Sequence, residues 1–332
     1  MNRKAFRRGV SLLTAVLLLL CLWGFSGCSD QIYDPTQGTL ILDEGTGNDA
    51  PTEAPTGSVI EIPDPDLFES APHVLRADFL NTGDSDVILI RMDDAVILVD
   101  AGEADDYPTI SRKLTEYGIS TIDYFIISHY DNDHIGAAAQ ILQSYTVKNV
   151  YMPDYLRDSS LYRRMTTVLE GTTGVAVHRL TEDVRIDLSY GSLWINPTGL
   201  YEAGVTLGSD DSHALEENNY SLITSVYFGD VSLLLAGDAE QDRLTEFMEV
   251  VGEGMSYDVI KIPHHGGYDK ALGNLLRENT GLRYCTVHVR DASLAEASLI
   301  TAIRASGAAT KFTCNGDISF ATDGVSMTVN QQ

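Results

Sequence analysis

Four short apolar runs in this chain each stop at an aspartate or a histidine. Ala95-Val96-Ile97-Leu98-Val99 runs into Asp100, Tyr124-Phe125-Ile126-Ile127-Ser128 into His129, Ser232-Leu233-Leu234-Leu235-Ala236-Gly237 into Asp238, and Val259-Ile260-Lys261-Ile262-Pro263 into His264 and His265. Runs of this length and β-branched content read as strands covered on at least one face. The same reasoning predicts strands over 86–92, 95–99, 124–128, 221–228, 232–236, 258–263 and 284–289, and helices over 107–117, 134–144, 160–170, 239–250, 271–279 and 294–306. Alternating strands and helices make an α/β protein, and the turns at Met92-Asp93-Asp94 and Phe228-Gly229-Asp230 make some neighbouring strands antiparallel, so the sheets are mixed. An apolar hairpin ending in an acid occurs twice, over 87–100 and 222–238.

The four acids and histidines fall at the carboxyl ends of their strands, the edge where open α/β sheets place their sites. The densest group is His129-Tyr130-Asp131-Asn132-Asp133-His134, with four candidate metal ligands in six residues. The bland alternative is an acidic turn in which Asp133 caps a helix beginning near His134. Four of the eight histidines lie in this group and in His264-His265, which favours metal ligation. Imidazoles with carboxylates suit zinc, manganese or iron, whereas magnesium and calcium prefer all-oxygen shells.

With 332 residues, 44% of them hydrophobic and 21% charged, the chain can bury one large core, and collagen-like or disulfide-scaffold folds are excluded. Ahead of that core, Arg3, Lys4, Arg7 and Arg8 precede an uncharged apolar stretch ending in Phe25-Ser26-Gly27-Cys28. This reads as an export signal over 1–28 with Cys28 as a lipidated first residue, the alternative being an uncleaved anchor. Residues 29–72 hold six of the ten prolines, ten acids and no Lys or Arg, the composition of a disordered linker. The expected body is 73–332, lipid-anchored on the outer face of the cell membrane and, by default, monomeric. Its two cysteines, Cys285 and Cys314, form a disulfide or stay as free thiols.

The residues carry a family resemblance. His129-x-Asp131-x-Asp133-His134, then Gly237-Asp238, then His264-His265-Gly266, preceded by a hairpin ending in Asp100-Ala101-Gly102, resembles the metallo-β-lactamase superfamily. Asp at the third position of the first motif, with Phe79-Leu80-Asn81-Thr82-Gly83-Asp84-Ser85-Asp86-Val87-Ile88-Leu89-Ile90, is most similar to the hydrolase domain of ComEC-type competence proteins. The resemblance implies a four-layer αβ/βα sandwich with mixed sheets and a site for one or two zinc or manganese ions. Carried over, Asp133, His134, Asp238 and one of the adjacent histidines, here His265, hold one ion. His129, Asp131 and a bridging Asp238 hold the other, and Asp100 orients a ligand histidine. Asn219 stands behind the site, in the segment that replaces a ligand histidine common elsewhere in the superfamily. Asp133 and His264 are the expected catalytic groups, His264 as a proton donor or phosphate contact, the alternative for His264 being a structural role.

Two departures bear on activity. Gly267 follows Gly266 where serine is usual, and Asp291-Ala292-Ser293-Leu294-Ala295-Glu296 replaces a later Gly-His-Pro, so one histidine expected at the substrate is missing. His213, in the loop Ser209-Asp210-Asp211-Ser212-His213, could compensate for the missing third-motif ligand but is expected at the surface, and His288 is expected in the core or behind the ligands. The formal charge is −26, and 73–332 alone carries 18 basic against 38 acidic residues, a charge of −20. That field disfavours long nucleic acid and leaves a small or cell-envelope phosphoester or phosphodiester as the expected substrate. The alternative is a lactamase-fold lipoprotein that has lost turnover and serves as a surface binding or sensing protein.

Overall fold

The computed structural model describes residues 33–34, 39–40, 68, 70–200, 202–208 and 217–332. The expected signal over 1–28 with Cys28, almost all of 29–72, and His213 lie outside the described residues. The chain divides into a unit over 1–59, where Tyr33–Asp34 pairs antiparallel with Thr39–Leu40, and a unit over 60–332. Among the described residues no helix is long and apolar enough to cross a membrane.

The larger unit is built on two β-sheets. The eight-stranded sheet runs in the order Met327–Gln331, Ile318–Thr322, Leu75–Phe79, Ile88–Met92, Ala95–Val99, Thr121–Ile126, Thr146–Pro153, Ala176–Leu180. The seven-stranded sheet runs Val184–Leu188, Gly191–Asn196, Ile223–Phe228, Val231–Leu235, Val259–Lys261, Tyr284–Val287, Ala309–Phe312. Side chains alternate faces along a strand, and both faces are covered, which is why the runs are continuously apolar. Ile88, Ile90, Ile97 and Val99 point into the core shared with Val226, Phe228, Leu233 and Leu235 of the other sheet. Leu89 and Leu98 point outward onto Ile110, Leu114, Ile141 and Met165 of helices Tyr107–Glu116, Ala138–Ser144 and Ser160–Gly171. Leu234 and Ile260 point outward onto Leu244, Phe247, Leu272, Leu275 and Leu299 of helices Gln241–Val251, Lys270–Glu278 and Ala297–Ser306. The result is a four-layer αβ/βα sandwich with mixed sheets.

The repeated hairpin holds the corresponding place in both sheets. Ala95–Val99 is antiparallel to Ile88–Met92 and parallel to Thr121–Ile126; Val231–Leu235 is antiparallel to Ile223–Phe228 and parallel to Val259–Lys261. Each change from antiparallel to parallel pairing thus falls at a strand that delivers an acid, Asp100 or Asp238.

One expectation is corrected. The helix expected over 134–144 is two pieces, Asn132–Ile135 and Ala138–Ser144. The His134 carbonyl accepts from Ala101 N at 2.8 Å instead of continuing the helix, and Gly136 N donates to Gly102 O at 2.7 Å. A Cβ on Gly136 would lie 2.4 Å from the backbone of Glu103 and Ala104, so only glycine admits this approach. Of the two alternatives for the cysteines, the structure has the second: Cys285 lies in the strand Tyr284–Val287, Cys314 in the turn Thr313–Asn315, and both are free thiols.

Candidate metal centre

Three segments bring four candidate ligands together. The short helix Asn132–Ile135 supplies Asp133 and His134, the turn after Val231–Leu235 supplies Asp238, and the turn His264–Gly266 supplies His265. One ligand atom from each of these four lies within 4.8 Å of all the others. Asp238 Oδ2 is 3.4 Å from His134 Nε2 and 3.3 Å from His265 Nε2, while Asp133 Oδ2 is 2.9 Å from His265 Nε2 and 3.6 Å from His134 Nε2. His134 Nε2 is buried and has no hydrogen-bond partner. Such an atom ordinarily costs stability, and two imidazoles with two carboxylates around it are a donor set for zinc or manganese. The residues fit one divalent cation.

The ligands are held from behind. Asp100, at φ 58°, accepts from Ser128 N at 2.7 Å through Oδ1, and from Ser128 Oγ at 2.6 Å through Oδ2. Its Oδ2 also lies 2.9 Å from His134 Nδ1. A histidine that donates its Nδ1 proton to a carboxylate presents the Nε2 lone pair forward. His265 Nδ1 faces the His288 carbonyl at 3.3 Å and is turned the same way.

Of the two adjacent histidines, the structure brings His265 to the carboxylates. Both have φ 49°, a left-handed pair that costs of order 1–3 kcal/mol per residue and turns the two side chains apart. His264 is half-exposed, its Nδ1 is 3.1 Å from Glu240 Oε1, and its backbone N–H donates to Asp238 Oδ1 at 3.1 Å.

Burial opposes charge throughout this cluster, and the close pairs override it. His134 is pushed well above the ordinary histidine value by Asp238, Asp133 and Asp100. His265 is raised to about 10 by Asp238 and Asp133. Asp238 is held well below the usual carboxylate range by His265, His134 and Lys261.

The other expected residues sit nearby in different company. His129 Nε2 is buried 3.7 Å from Asp131 Oδ2, and Asp131 Oδ1 is 3.4 Å from Arg157 Nη2; neither residue joins the four-residue cluster. Asn219 Oδ1 accepts from Arg243 N at 3.0 Å. His288 lies just past Tyr284–Val287, buried, with Nδ1 3.4 Å from Asp86 Oδ1. Behind Asp238 is a pair the sequence reading did not single out: Lys261 Nζ is ion-paired with Asp86, donates to Gly237 O at 2.8 Å, and lies 3.3 Å from Asp238 Oδ1. Its signal was the single charge inside a run buried on both faces, which demands a partner. Arg157 had no such signal.

Comparison with known proteins agrees with this architecture. The metallo-β-lactamase superfamily profile matches residues 80–286. ComE operon protein 3 of Bacillus subtilis is 27% identical over 154 residues, 46% of this chain and 18% of that protein. Recombination protein 2 of Haemophilus influenzae is 26% identical over 212 residues, 61% of this chain and 23% of that protein. The chain therefore spans less than a quarter of either relative. Among solved structures, the metallo-β-lactamase fold protein YhfI of Bacillus subtilis aligns over 72% of this chain and 95% of its own, with 14% identity and a TM-score of 0.46. With the profile covering well over half of its length, this chain belongs to the metallo-β-lactamase superfamily.

Proposed function

We propose that this chain is an exported, lipid-anchored, metal-dependent hydrolase of phosphoester or phosphodiester bonds. The observation that carries the reading is the buried, unpartnered Nε2 of His134 inside a set of two carboxylates and a second imidazole. Asp133, His134, Asp238 and His265 would hold the ion, zinc or manganese. When bound, such an ion supplies Lewis acidity to a water and to the ester oxygen.

The chain's own residues supply the rest. Asp100 keeps His134 in the tautomer that offers Nε2. His264 stands at the exposed rim, where hydrogen bonding to Glu240, against the effect of burial and with help from Asp238, raises its pKa. That favours the protonated imidazole, the form that can give a proton to a leaving oxygen. The similarity to ComEC-type hydrolase domains supports phosphodiester chemistry. The −20 charge of 73–332 argues for a short or cell-envelope substrate over long nucleic acid.

One observation favours a second reading, a surface binding lipoprotein without turnover. Where relatives carry a later histidine, this chain has the turn Ala292–Leu294, capped by Asp291 Oδ1 accepting from Ser293 N at 2.9 Å. The test is metal content by mass spectrometry on the full chain and on Asp133→Ala/His134→Ala, with bis(p-nitrophenyl) phosphate turnover on the same samples. Metal and turnover that vanish together in the variant support the hydrolase. Metal without turnover on this and other esters supports the binding protein, and no metal removes both. Radiolabelled palmitate incorporation, lost in Cys28→Ser, tests the anchor.

A further inference from the structure

We propose that this chain holds one divalent cation and not a pair, because the Arg157 guanidinium takes the place beside Asp131 that a second cation would need. The inference rests on the metal-binding reading above and specifies its stoichiometry.

A second ion would draw on His129, Asp131 and a shared Asp238. Each carboxylate is already engaged through one oxygen. Asp131 Oδ1 is 3.4 Å from Arg157 Nη2, while its Oδ2 lies 3.7 Å from His129 Nε2, a buried nitrogen without a hydrogen-bond partner. Asp238 Oδ1 lies 3.3 Å from Lys261 Nζ and accepts from His264 N at 3.1 Å, which uses the two lone-pair directions of that oxygen. Only Asp238 Oδ2 is left to face the four-residue cluster. Among the described residues no further ligand replaces the missing histidine of the third motif, since Asn219 Oδ1 is committed to Arg243 N at 3.0 Å. His129 Nε2 is thus left as one imidazole beside an ion-paired carboxylate, short of the three protein ligands a catalytic zinc site ordinarily has.

Arg157 is a built feature. The parallel pairing of Leu156–Arg157 with Thr206–Leu207 fixes its backbone, with Leu156 N donating to Val205 O at 2.7 Å and Asp158 N to Leu207 O at 3.0 Å. Its side chain is 10% exposed and forms an ion pair with Glu217, which is fully buried. Glu217 in turn accepts from Tyr155 Oη at 2.7 Å, and that hydroxyl accepts from Tyr130 N at 2.8 Å. A guanidinium is always charged and fits carboxylates with fixed geometry. Here it supplies the positive charge that Asp131 and Glu217 require, and it does so without a metal.

The test loads the full chain with manganese alone and removes the free ion, then measures bound metal by mass spectrometry and its spin state by electron paramagnetic resonance. The expected result is one equivalent with the signal of an isolated ion. Two equivalents, or an exchange-coupled signal, overturn this inference and leave the hydrolase reading standing. No bound manganese or zinc removes both together. Asp131→Asn, which avoids disturbing the buried Arg157–Glu217 pair, is expected to change manganese affinity by less than about threefold, whereas a loss of about tenfold or more, the scale for residues that support a metal, overturns the inference.

Discussion

His134 Nδ1 lies 2.9 Å from Asp100 Oδ2, and that same oxygen accepts the Ser128 hydroxyl at 2.6 Å. One carboxylate therefore ties the end of the first hairpin to the loop after Thr121–Ile126 and sets which nitrogen His134 offers to a cation. Asn fits the left-handed backbone of position 100 almost as well as Asp, so Asp100→Asn separates orientation from folding. Its cation affinity should fall about 10–100-fold with an unchanged circular dichroism spectrum, measured by competition with a chelating dye. Unchanged affinity would show that His134 needs no such partner.

The metal-free chain should lose stability as pH rises, while affinity for a cation grows. Burial opposes the charged form of His265, but Asp238 and Asp133 raise it to about 10 against the ordinary 6.5. A folded-state value above the unfolded one stabilises fully below about pH 6.5, and that contribution drains away as pH climbs toward about 10. A cation needs Nε2 without its proton, so binding releases protons and strengthens over the same window. Urea unfolding in EDTA from about pH 6.5 to about pH 9.5 checks the first statement. Calorimetric zinc titration in two buffers of different ionisation heat checks the second, and a titration with no proton release contradicts it.

The site was legible where the chemistry sits at the end of a buried run. Asp100 and Asp238 each follow an unbroken apolar run, His265 follows one broken only by Lys261, and the spacing of Asp133 and His134 is local. Arg157 reaches Asp131 only because a two-residue strand pairs with Thr206–Leu207, a contact across about fifty residues of chain that no local pattern encodes. The strand Val184–Leu188 was missed for a different reason. It lies at the edge of its sheet, its exposure alternates, and Arg185 and Asp187 interrupt the run while Val184, Ile186 and Leu188 still pack on the core. The break after Ile135 was equally hidden, because it depends on the backbone of Glu103 and Ala104 lying against Gly136.

Lys261→Met should be among the costliest single changes outside the ligands. Lys261 is fully buried between Asp86 and Asp238. Burial pushes the neighbouring His288 down to about 4, so it is neutral near pH 7 and cannot replace the lost charge. Leaving a buried carboxylate unpaired costs about 3–5 kcal/mol. Adding Asp86→Asn removes the stranded charge, so the double variant should recover a large part of that loss in urea unfolding. A double variant no more stable than Lys261→Met would mean that the cost comes from packing alone.

Gly237→Ala and Gly254→Ala should separate backbone strain from close packing. Both glycines have positive φ, 54° and 85°. In either, alanine pays about 1–2 kcal/mol for the left-handed conformation. Around Gly254 a Cβ meets nothing within 4 Å, and the cost should end there. At Gly237 the added Cβ would lie 2.7 Å from Ser128 Cβ, closer than real Cβ contacts come. Ser128 is pinned by Asp100 and the Gly237 carbonyl by Lys261, so neither side can retreat without moving Asp238. Gly237→Ala should therefore lose at least twice the stability of Gly254→Ala in urea unfolding and should also bind zinc more weakly, whereas Gly254→Ala should bind it normally. Equal losses, with zinc binding intact in both, would show that the turn before Asp238 tolerates a side chain and that the ligand is not positioned by this contact.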